Sequence, residues 1–265
     1  MTATVHSLVP ARPALLDAAD PPPFDLVNPA GSAPMLLVCD HASHAVPASL
    51  HGLGLDESTL RRHIGWDIGA ADVTRRLAAL LDAPAVLAGY SRLVIDCNRP
   101  PGSNSSIPAV SDGLAIPGNT VVDEAAAEAR ATACFEPYHA AVDRRLDEIA
   151  AAGATPAFIS MHSFTPLFDG FERPWHVGLL WDRDDRLAKP LIKALAADPL
   201  IHVGDNEPYS GRSPTPYSTP RHAETRRLPH VTVEIRQDLI DTHHGAETWA
   251  QRMAAALRAV LGKDL

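Results

Sequence analysis

The chain has 265 residues, 46% of them hydrophobic, which is enough to bury the core of one large domain or two small ones, and we favour one. Its formal charge of -9 leaves no basic surface that would bind DNA or RNA. Its three cysteines, Cys39, Cys97 and Cys134, are too few and too widely spaced for a disulfide framework or a cysteine-based zinc site. We expect them to be small buried residues.

No apolar stretch approaches the roughly 20 residues that a membrane span requires, and residues 1–33 lack the basic start and apolar core of a signal peptide. We therefore expect a cytoplasmic protein without membrane contact. Thirteen histidines are the unusual feature, because histidine is the commonest metal ligand and exchanges protons near neutral pH. The composition thus indicates a metal or hydrolytic site without locating it.

Proline and alanine dominate the first 33 residues, which include "DPPPF" at 20–24 and "NPAGSAP" at 28–34. Such frequent interruption of the backbone predicts an irregular N-terminal arm over 1–33. The remaining residues, 34–265, are predicted to form a single catalytic α/β domain.

Apolar segments of strand length alternate with helical patterns along the rest of the chain. "PMLLVCD" (34–40) predicts a strand and "GWDIGAADVTRRLAALLDA" (65–83) a helix, followed by two apolar, β-branched segments, "APAVLAGY" (83–90) and "SRLVIDCN" (91–98). The segment 125–153 predicts a long helix that Asp123 could cap. Its apolar face carries Phe135, Tyr138, Val142, Leu146 and Ile149.

The C-terminal half continues the alternation. "TPAFISMHS" (155–163), "HVGLLWD" (176–182) and "HVTVEIR" (230–236) predict strands, whereas "RLAKPLIKALAAD" predicts a helix irregular at Pro190 and "AETWAQRMAAALRAVL" a terminal helix. Alternating strands and helices favour an α/β domain with a mixed, largely parallel sheet sandwiched by helices.

Polar residues end the apolar segments, and open α/β sheets bind ligands at the carboxyl ends of their strands. These residues are Asp40, His41, Asp96, Asn98, Arg99, His162, Ser163, Glu234 and Arg236. If the strand ends converge, two histidines and a carboxylate can bind zinc and leave a position open for water. A bound zinc ion makes water acidic enough to attack an amide at neutral pH.

Asp67 is the favoured third metal ligand among several candidates. Asp67 lies at the start of the predicted helix, where its side chain could point into the same cleft as His41, or could instead cap the helix. His44 is an alternative, but it shares a face with His41 only if their loop turns helically. His63 is a further candidate for contact with the cleft.

Glu234 lies among Val231, Val233 and Ile235, where an unpaired ionised carboxylate costs several kcal/mol, on the order of the desolvation penalty for a buried charge. It could act as a general base, or it could form a buried salt bridge with Arg236 or Arg99. Arg99 could present its fork of donors to a substrate carboxylate, or pair with Asp96.

At these strand ends the sequence resembles the N-formylglutamate amidohydrolase family, which comprises zinc-dependent amidases related to the zinc carboxypeptidases. The resemblance rests on "CDHAS-AVP", "GWDIGA", "SRLVIDCNRP", "SMHSF", "PYSG" and "VEIRQDLI", in order and spacing over about residues 35 to 260. It implies a phosphorylase/hydrolase-like α/β sandwich with one metal ion at the strand ends. It also implies that His41, His162 and Asp67 hold the metal ion, Glu234 is the catalytic acid/base, and Asn98 and Arg99 hold the substrate carboxylate.

Two features leave alternatives open. Related carboxypeptidases use His-x-x-Glu at the first strand end, where this sequence has His44 in the glutamate position, so the choice between Asp67 and His44 stays open. The "PYSG" segment reads as a polar loop that could cover the site, with Tyr209 or Arg212 reaching the substrate, or could only connect two elements.

The sequence therefore predicts a zinc amidohydrolase with one Zn²⁺ per chain, or another divalent ion, that cleaves the N-acyl amide of an acidic amino acid such as N-formylglutamate. One alternative keeps the metal site and changes the substrate to another N-acyl amino acid or a short peptide. The other is a metal-binding or ligand-binding protein without turnover. A serine hydrolase is disfavoured because "GYSRL" fails the last position of G-x-S-x-G. Oligomeric state and acyl group are not determined.

Overall fold

A computed structural model describes residues 15–212 and 216–262 of the chain. The strands are β1 Phe24–Val27, β2 Met35–Cys39, β3 Ala85–Ala88, β4 Val110–Ser111, β5 Leu114–Ala115, β6 Ala157–Phe164, β7 Leu167–Phe168, β8 Phe171–Glu172, β9 Val177–Leu180, β10 Val203–Asp205 and β11 His230–Arg236. The α-helices are α1 Glu57–Leu60, α2 Ala70–Leu81, α3 Glu124–Arg130, α4 Glu136–Ala151, α5 Ala188–Leu195 and α6 His243–Leu261. The π-helical turn Ala131–Phe135 joins α3 to α4.

Seven strands form the central sheet in the order β1-β3-β2-β6-β11-β9-β10. The four strands β3, β2, β6 and β11 run parallel, whereas β1 and the β9–β10 pair run antiparallel to them. The prediction of a mixed, largely parallel sheet between helices is confirmed. The carboxyl ends of β2, β6 and β11 consequently lie side by side at one edge of the sheet.

Side chains alternate between two hydrophobic cores, one on each face of the sheet, because successive residues of a strand point in opposite directions. Leu37 of β2 packs in the core that α2, α5 and α6 cover, whereas Leu36 packs in the core that α4 covers. The same alternation separates Ile159 from Phe158 in β6. All three cysteines are buried free thiols, as predicted.

The prediction of an irregular N-terminal arm over 1–33 is wrong for four residues, because Phe24–Val27 form β1, which pairs antiparallel with β3 at the edge of the sheet. Phe24–Val27 contains no proline, and the Pro23 carbonyl just before it accepts a backbone hydrogen bond from Gly89. An edge strand needs partners on one side only, which a short segment between prolines can supply. Residues 1–14 of the predicted arm lie outside the described residues.

The strand predicted over "SRLVIDCN" is also wrong, because residues 91–98 form buried turns. Leu93, Val94 and Ile95 are buried in the α4-side core without joining the sheet. Side chains satisfy the carbonyl groups that a neighbouring strand would otherwise bond: Asn119 donates to the Leu93 carbonyl (2.8 Å) and Arg130 to the Val94 carbonyl (3.0 Å).

The helices follow the predicted pattern closely. Asp123 caps α3 by accepting a hydrogen bond from the backbone of Ala126, as predicted. Pro190 lies in the first turn of α5, where no intrahelical N–H bond is lost, so it marks the helix start and not the predicted irregularity. No helix among the described residues has the length and apolar character needed to cross a bilayer.

Candidate metal centre

The register of β6 against β11 places His162 directly beside Glu234. Val233 and Ile235 flank Glu234 along β11 and point into the core under α2 and α6. Glu234 therefore points to the opposite face, and His162 does the same because Met161 packs in that core. The alternation of side chains along each strand is what directs these two polar side chains toward one cavity.

Three buried side chains converge at the strand ends: His41 after β2, Asp67 before α2, and His162 in β6. Asp67 Oδ2 lies 3.2 Å from His41 Nδ1 and 2.8 Å from His162 Nδ1. The three potential ligand atoms all lie within 4.8 Å of one another. Two imidazole nitrogens and a carboxylate oxygen are a donor set that zinc accepts, so the residues present fit a catalytic metal ion.

A carboxylate faces the far side of each imidazole. His41 Nε2 lies 2.7 Å from Asp96 Oδ1, and His162 Nε2 lies 3.3 Å from Asp40 Oδ2. A carboxylate accepts hydrogen bonds and so holds a proton on each Nε2, which would leave the Nδ1 lone pairs to bind a metal ion that displaces the Nδ1 protons. Carboxylate-bound histidines of this kind are typical of metal centres.

Asp40 is held in turn by hydroxyl donors. Tyr138 donates to Asp40 Oδ1 at 2.8 Å and Ser218 at 2.6 Å, while Ser160 donates to Oδ2 at 3.3 Å. Burial alone would raise the pKa of Asp40, but His162, the charge of His41 and the Ser218 hydrogen bond hold it well below the usual range. The carboxylate that orients His162 therefore remains ionised.

The loop before α2 holds Asp67 in place. Its backbone N–H donates to the His41 carbonyl at 3.0 Å, and Arg92 donates to its Oδ1 at 3.1 Å. Asp67 does not cap the helix, because Gly69 occupies the N-cap position. Burial would raise the pKa of Asp67, but the two imidazoles and Arg92 outweigh burial and keep its pKa well below the usual range.

Gly69 has a left-handed backbone (φ +80), and a Cβ there would lie 2.2 Å from the Ile240 carbonyl oxygen. Gly69→Ala is therefore expected to lower the free energy of unfolding by more than the roughly 1–3 kcal/mol of backbone strain alone. Gly153→Ala is the matched control, since φ is +91 and a Cβ would meet open space. Urea unfolding measures the free energy of unfolding of both variants, and an equal decrease in the two would contradict the steric argument.

Asp96→Asn is expected to weaken metal binding about 10- to 100-fold, the usual cost of losing an outer carboxylate. The amide would keep the shape of the side chain but withdraw the charge that supports His41. Competition with a chelator measures the affinity. Asp185→Asn, at a surface carboxylate paired with Lys189, serves as the control and should bind as the wild type does.

Glu234 is 7% exposed, and its Oε2 has no hydrogen-bond partner among the described residues. Neither predicted salt bridge forms: Glu234 is in no ion pair among the described residues, and Arg236 instead pairs with Asp238 at 2.8 Å. Burial raises the pKa of Glu234 to about 7. An acid with that pKa can both accept and release a proton near neutral pH.

These groups line one cavity of about 230 Å³. Asn98, Arg99 and Tyr209 lie on its wall, so the structure brings them together with Glu234 and the His41–Asp67–His162 group. Asn98 Oδ1 already accepts hydrogen bonds from the backbone of Tyr217 and Ser218, which leaves its amide as the donor that could meet a substrate. Arg99 donates to the carbonyl of Asn98 at 2.8 Å.

The remaining candidates from the sequence do not line this cavity. His44 lies 3.4 Å from Glu57 and packs against Trp66. His63 lies 3.4 Å from Asp112. Arg212 pairs with Asp182 at 3.1 Å, although its neighbours Ser210 and Gly211 are on the cavity wall.

Sequence reasoning did not assign a site role to Asp40, Asp96 or Arg92. Arg92 lines the cavity and bridges Asp67 and Asp96, with its Nη2 at 3.3 Å from Asp96 Oδ2. A signal was present for two of them, because Asp40 and Asp96 end apolar segments beside other polar residues. Arg92 stands inside such a segment, and only its folded path brings it to the cavity.

Comparisons with known proteins agree with this architecture. The family model described as N-formylglutamate amidohydrolase matches residues 33–241. Gene product Atu2144 from Agrobacterium tumefaciens is similar at 36% identity with a TM-score of 0.89, over 93% of this chain and 98% of that one. An N-formylglutamate amidohydrolase from Ralstonia eutropha JMP134 has a TM-score of 0.65 over 90% of this chain and 97% of that one; at 19% identity this shows a shared fold. No curated protein matches.

Proposed function

The chain belongs to the N-formylglutamate amidohydrolase family, and from that premise we propose that it is a metal-dependent hydrolase of the N-formyl amide of an acidic amino acid, with N-formylglutamate as the reference substrate. The observation that carries this proposal is the group formed by His41, Asp67 and His162 in one cavity with the unpartnered carboxyl of Glu234. The products would be formate and the free amino acid.

His41, Asp67 and His162 would hold the metal ion, which we propose to be one Zn²⁺ per chain, although another divalent ion could occupy the same donor set. When bound, the ion supplies Lewis-acid activation of water and of the amide carbonyl. Asp40 and Asp96 keep the two imidazoles in the tautomer that ligation needs.

Glu234 would move the proton. As a carboxylate it takes a proton from the attacking water, whose oxygen forms a bond to the formyl carbon. It then gives that proton to the amide nitrogen as the C–N bond breaks, so the amino acid leaves as a neutral amine. Its burial keeps bulk water from competing for this proton, and a pKa of about 7 suits both transfers.

The arginines would have separate roles. Arg92 lies on the cavity wall next to Asp67, where its donors could stabilise negative charge that develops on the carbonyl oxygen. Arg99, with the amide of Asn98, would bind a substrate carboxylate. A cavity of about 230 Å³ is smaller than the roughly 300–1,000 Å³ of pockets for drug-sized ligands, which favours a small substrate.

Formate release from a panel of N-formyl and N-acetyl amino acids tests the function. We expect turnover of N-formylglutamate, its loss after a chelator removes the metal ion, and its recovery when zinc is added back. Turnover of an N-acetyl amino acid or short peptide instead would move the chain to another amidase activity. A zinc-loaded wild type that hydrolyses none of the panel would favour a binding protein.

A single catalytic unit over 34–265 and a cytoplasmic location remain predictions from the sequence. The family membership implies a small-molecule substrate.

A further inference from the structure

Arg173 follows the β7–β8 hairpin and is a buried cation without an anion. Its side chain is 6% exposed, and no carboxylate in the described part of the chain lies within ion-pair distance of it. A buried charge without a counter-charge is costly, so a residue of this kind calls for a compensating group. Nothing in the catalytic scheme above uses it.

Aromatic rings surround the Arg173 guanidinium. It lies 4.7 Å from the ring centre of Phe168, 4.8 Å from that of Tyr209 and 5.8 Å from that of Phe164. Cation–π contacts of this sort offset part of the desolvation and fix the plane of the guanidinium. Its Nη1 also donates to the Thr165 carbonyl at 3.4 Å.

The same Nη1 donates to the hydroxyl oxygen of Tyr209 at 3.0 Å. Tyr209 lines the cavity that holds Glu234 and the ligand cluster, whereas Arg173 stands behind it. Because the hydroxyl oxygen accepts from Arg173, the hydroxyl proton is directed to a different acceptor. Donation from a cation also polarises the hydroxyl and makes it a stronger donor.

The charges of the cavity explain which acceptor this could be. An N-formylated acidic amino acid carries two carboxylates. Arg92 already pairs with Asp67 and Asp96, so Arg99 is the cavity-lining arginine that can neutralise one of them. The second carboxylate needs another source of positive charge, and Arg173 contacts both the ring and the hydroxyl of Tyr209 on the cavity wall.

We propose that Arg173, acting through Tyr209, makes the enzyme specific for substrates with an acidic side chain. The Tyr209 hydroxyl donates to the side-chain carboxylate, and the Arg173 charge behind it stabilises that carboxylate. Arg173 is thus a positioning residue and Tyr209 is the contact. This inference rests on the proposed function and adds the basis of its side-chain preference.

Three substrates test the inference in the zinc-loaded full chain: N-formylglutamate, N-formylglutamine, which loses the side-chain charge, and N-formylisoglutamine, which loses the α-carboxylate charge. In wild type we expect kcat/KM for N-formylglutamine to be about 10- to 100-fold below that for N-formylglutamate, the effect of losing one charge-assisted hydrogen bond. Arg173→Met should remove most of this difference by raising KM for N-formylglutamate and N-formylisoglutamine, with N-formylglutamine nearly unchanged.

Matched variants separate specificity from a structural role. Arg173→Lys keeps the charge and should restore part of the preference. Tyr209→Phe, at a side chain that is 37% exposed, should lose the preference even if Arg173→Met does not fold. Arg212→Met is the control, because Arg212 also stacks on a ring, that of Trp181, but pairs with Asp182 outside the cavity.

Two outcomes would overturn the inference while leaving the proposed function intact: a wild type that hydrolyses N-formylglutamate and N-formylglutamine equally well, or losses in Arg173→Met and Tyr209→Phe that are the same for all three substrates. A wild type that hydrolyses no N-formyl amino acid would instead overturn the proposed function, and this inference with it.

Discussion

Glu234→Gln is expected to lower kcat for N-formylglutamate about 10²- to 10⁴-fold, the usual contribution of a general acid/base, with the metal content unchanged. Glutamine keeps the size of the side chain but cannot take a proton from water. Because the Glu234 carboxyl is buried with its Oε2 unpartnered, the neutral amide should not destabilise the fold. Steady-state kinetics and metal analysis of the same preparation measure both quantities.

Glu128→Gln provides the control. Glu128 is exposed on α3 and does not line the cavity, so this variant should behave as the wild type does. A Glu234→Gln enzyme with more than about a tenth of wild-type kcat would contradict the assignment, because a tenfold loss is only about 1.4 kcal/mol of barrier. Loss of metal together with activity would make Glu234 part of the ligand set instead.

His162→Ala should lose both the metal ion and the activity, because it removes one of the three ligands and leaves the Asp40 carboxylate without its imidazole partner. Metal affinity should fall by more than the roughly 10- to 100-fold expected when an outer carboxylate is lost. Mass spectrometry of dialysed protein measures bound metal, and activity is assayed with and without added zinc. Circular dichroism confirms that the variant is folded.

Asp67→Ala and His44→Ala carry the same test to the third ligand. The structure places Asp67 within the group and His44 beside Glu57, so only the first variant should lose metal. If Asp67→Ala kept a full equivalent of bound metal and His44→Ala lost it, the assignment would be reversed. The His-x-x-His alternative that the sequence leaves open would then hold.

The fold was largely predictable because its strands and helices have strong apolar periodicity. Strands β2, β6, β9 and β11 each coincide with an apolar segment, and the alternation of strands with helices along the chain already indicated a mixed, largely parallel sheet. Residues 91–98 have the same apolar pattern but pack as turns, since Asn119 and Arg130 bond to their carbonyl groups from elsewhere in the chain. Local sequence contains no information about such distant donors.

The candidate site was predictable where strand ends define it. His41 and His162 follow from the rule that ligands gather at the carboxyl ends of parallel strands. The sequence favoured Asp67 over His44 as third ligand without deciding between them, because the choice depends on the path of the loop that joins Asp67 to the His41 carbonyl. No sequence pattern indicated a role for Arg173, because its proximity to Tyr209 arises only in the folded structure.

The thirteen histidines were an incomplete guide. Among the described residues, only His41 and His162 lie in the group that could hold a metal ion. His139 and His222 are also buried, but they form a hydrogen-bonded pair at 2.8 Å, with Asp143 2.9 Å from His222. Burial lowers the pKa of His139 to about 4, so it is neutral at pH 7. The histidine content thus indicated a site, but most of the histidines do not belong to it.

Anomalous diffraction at the zinc edge, from crystals of the zinc-loaded chain, tests the central claim most directly. We predict one strong peak per chain, about 2.0–2.2 Å from Nδ1 of His41, Nδ1 of His162 and a carboxylate oxygen of Asp67. A peak at another group of residues, or crystals with full zinc occupancy elsewhere and none among these three atoms, would contradict the proposed metal centre and the hydrolytic function built on it.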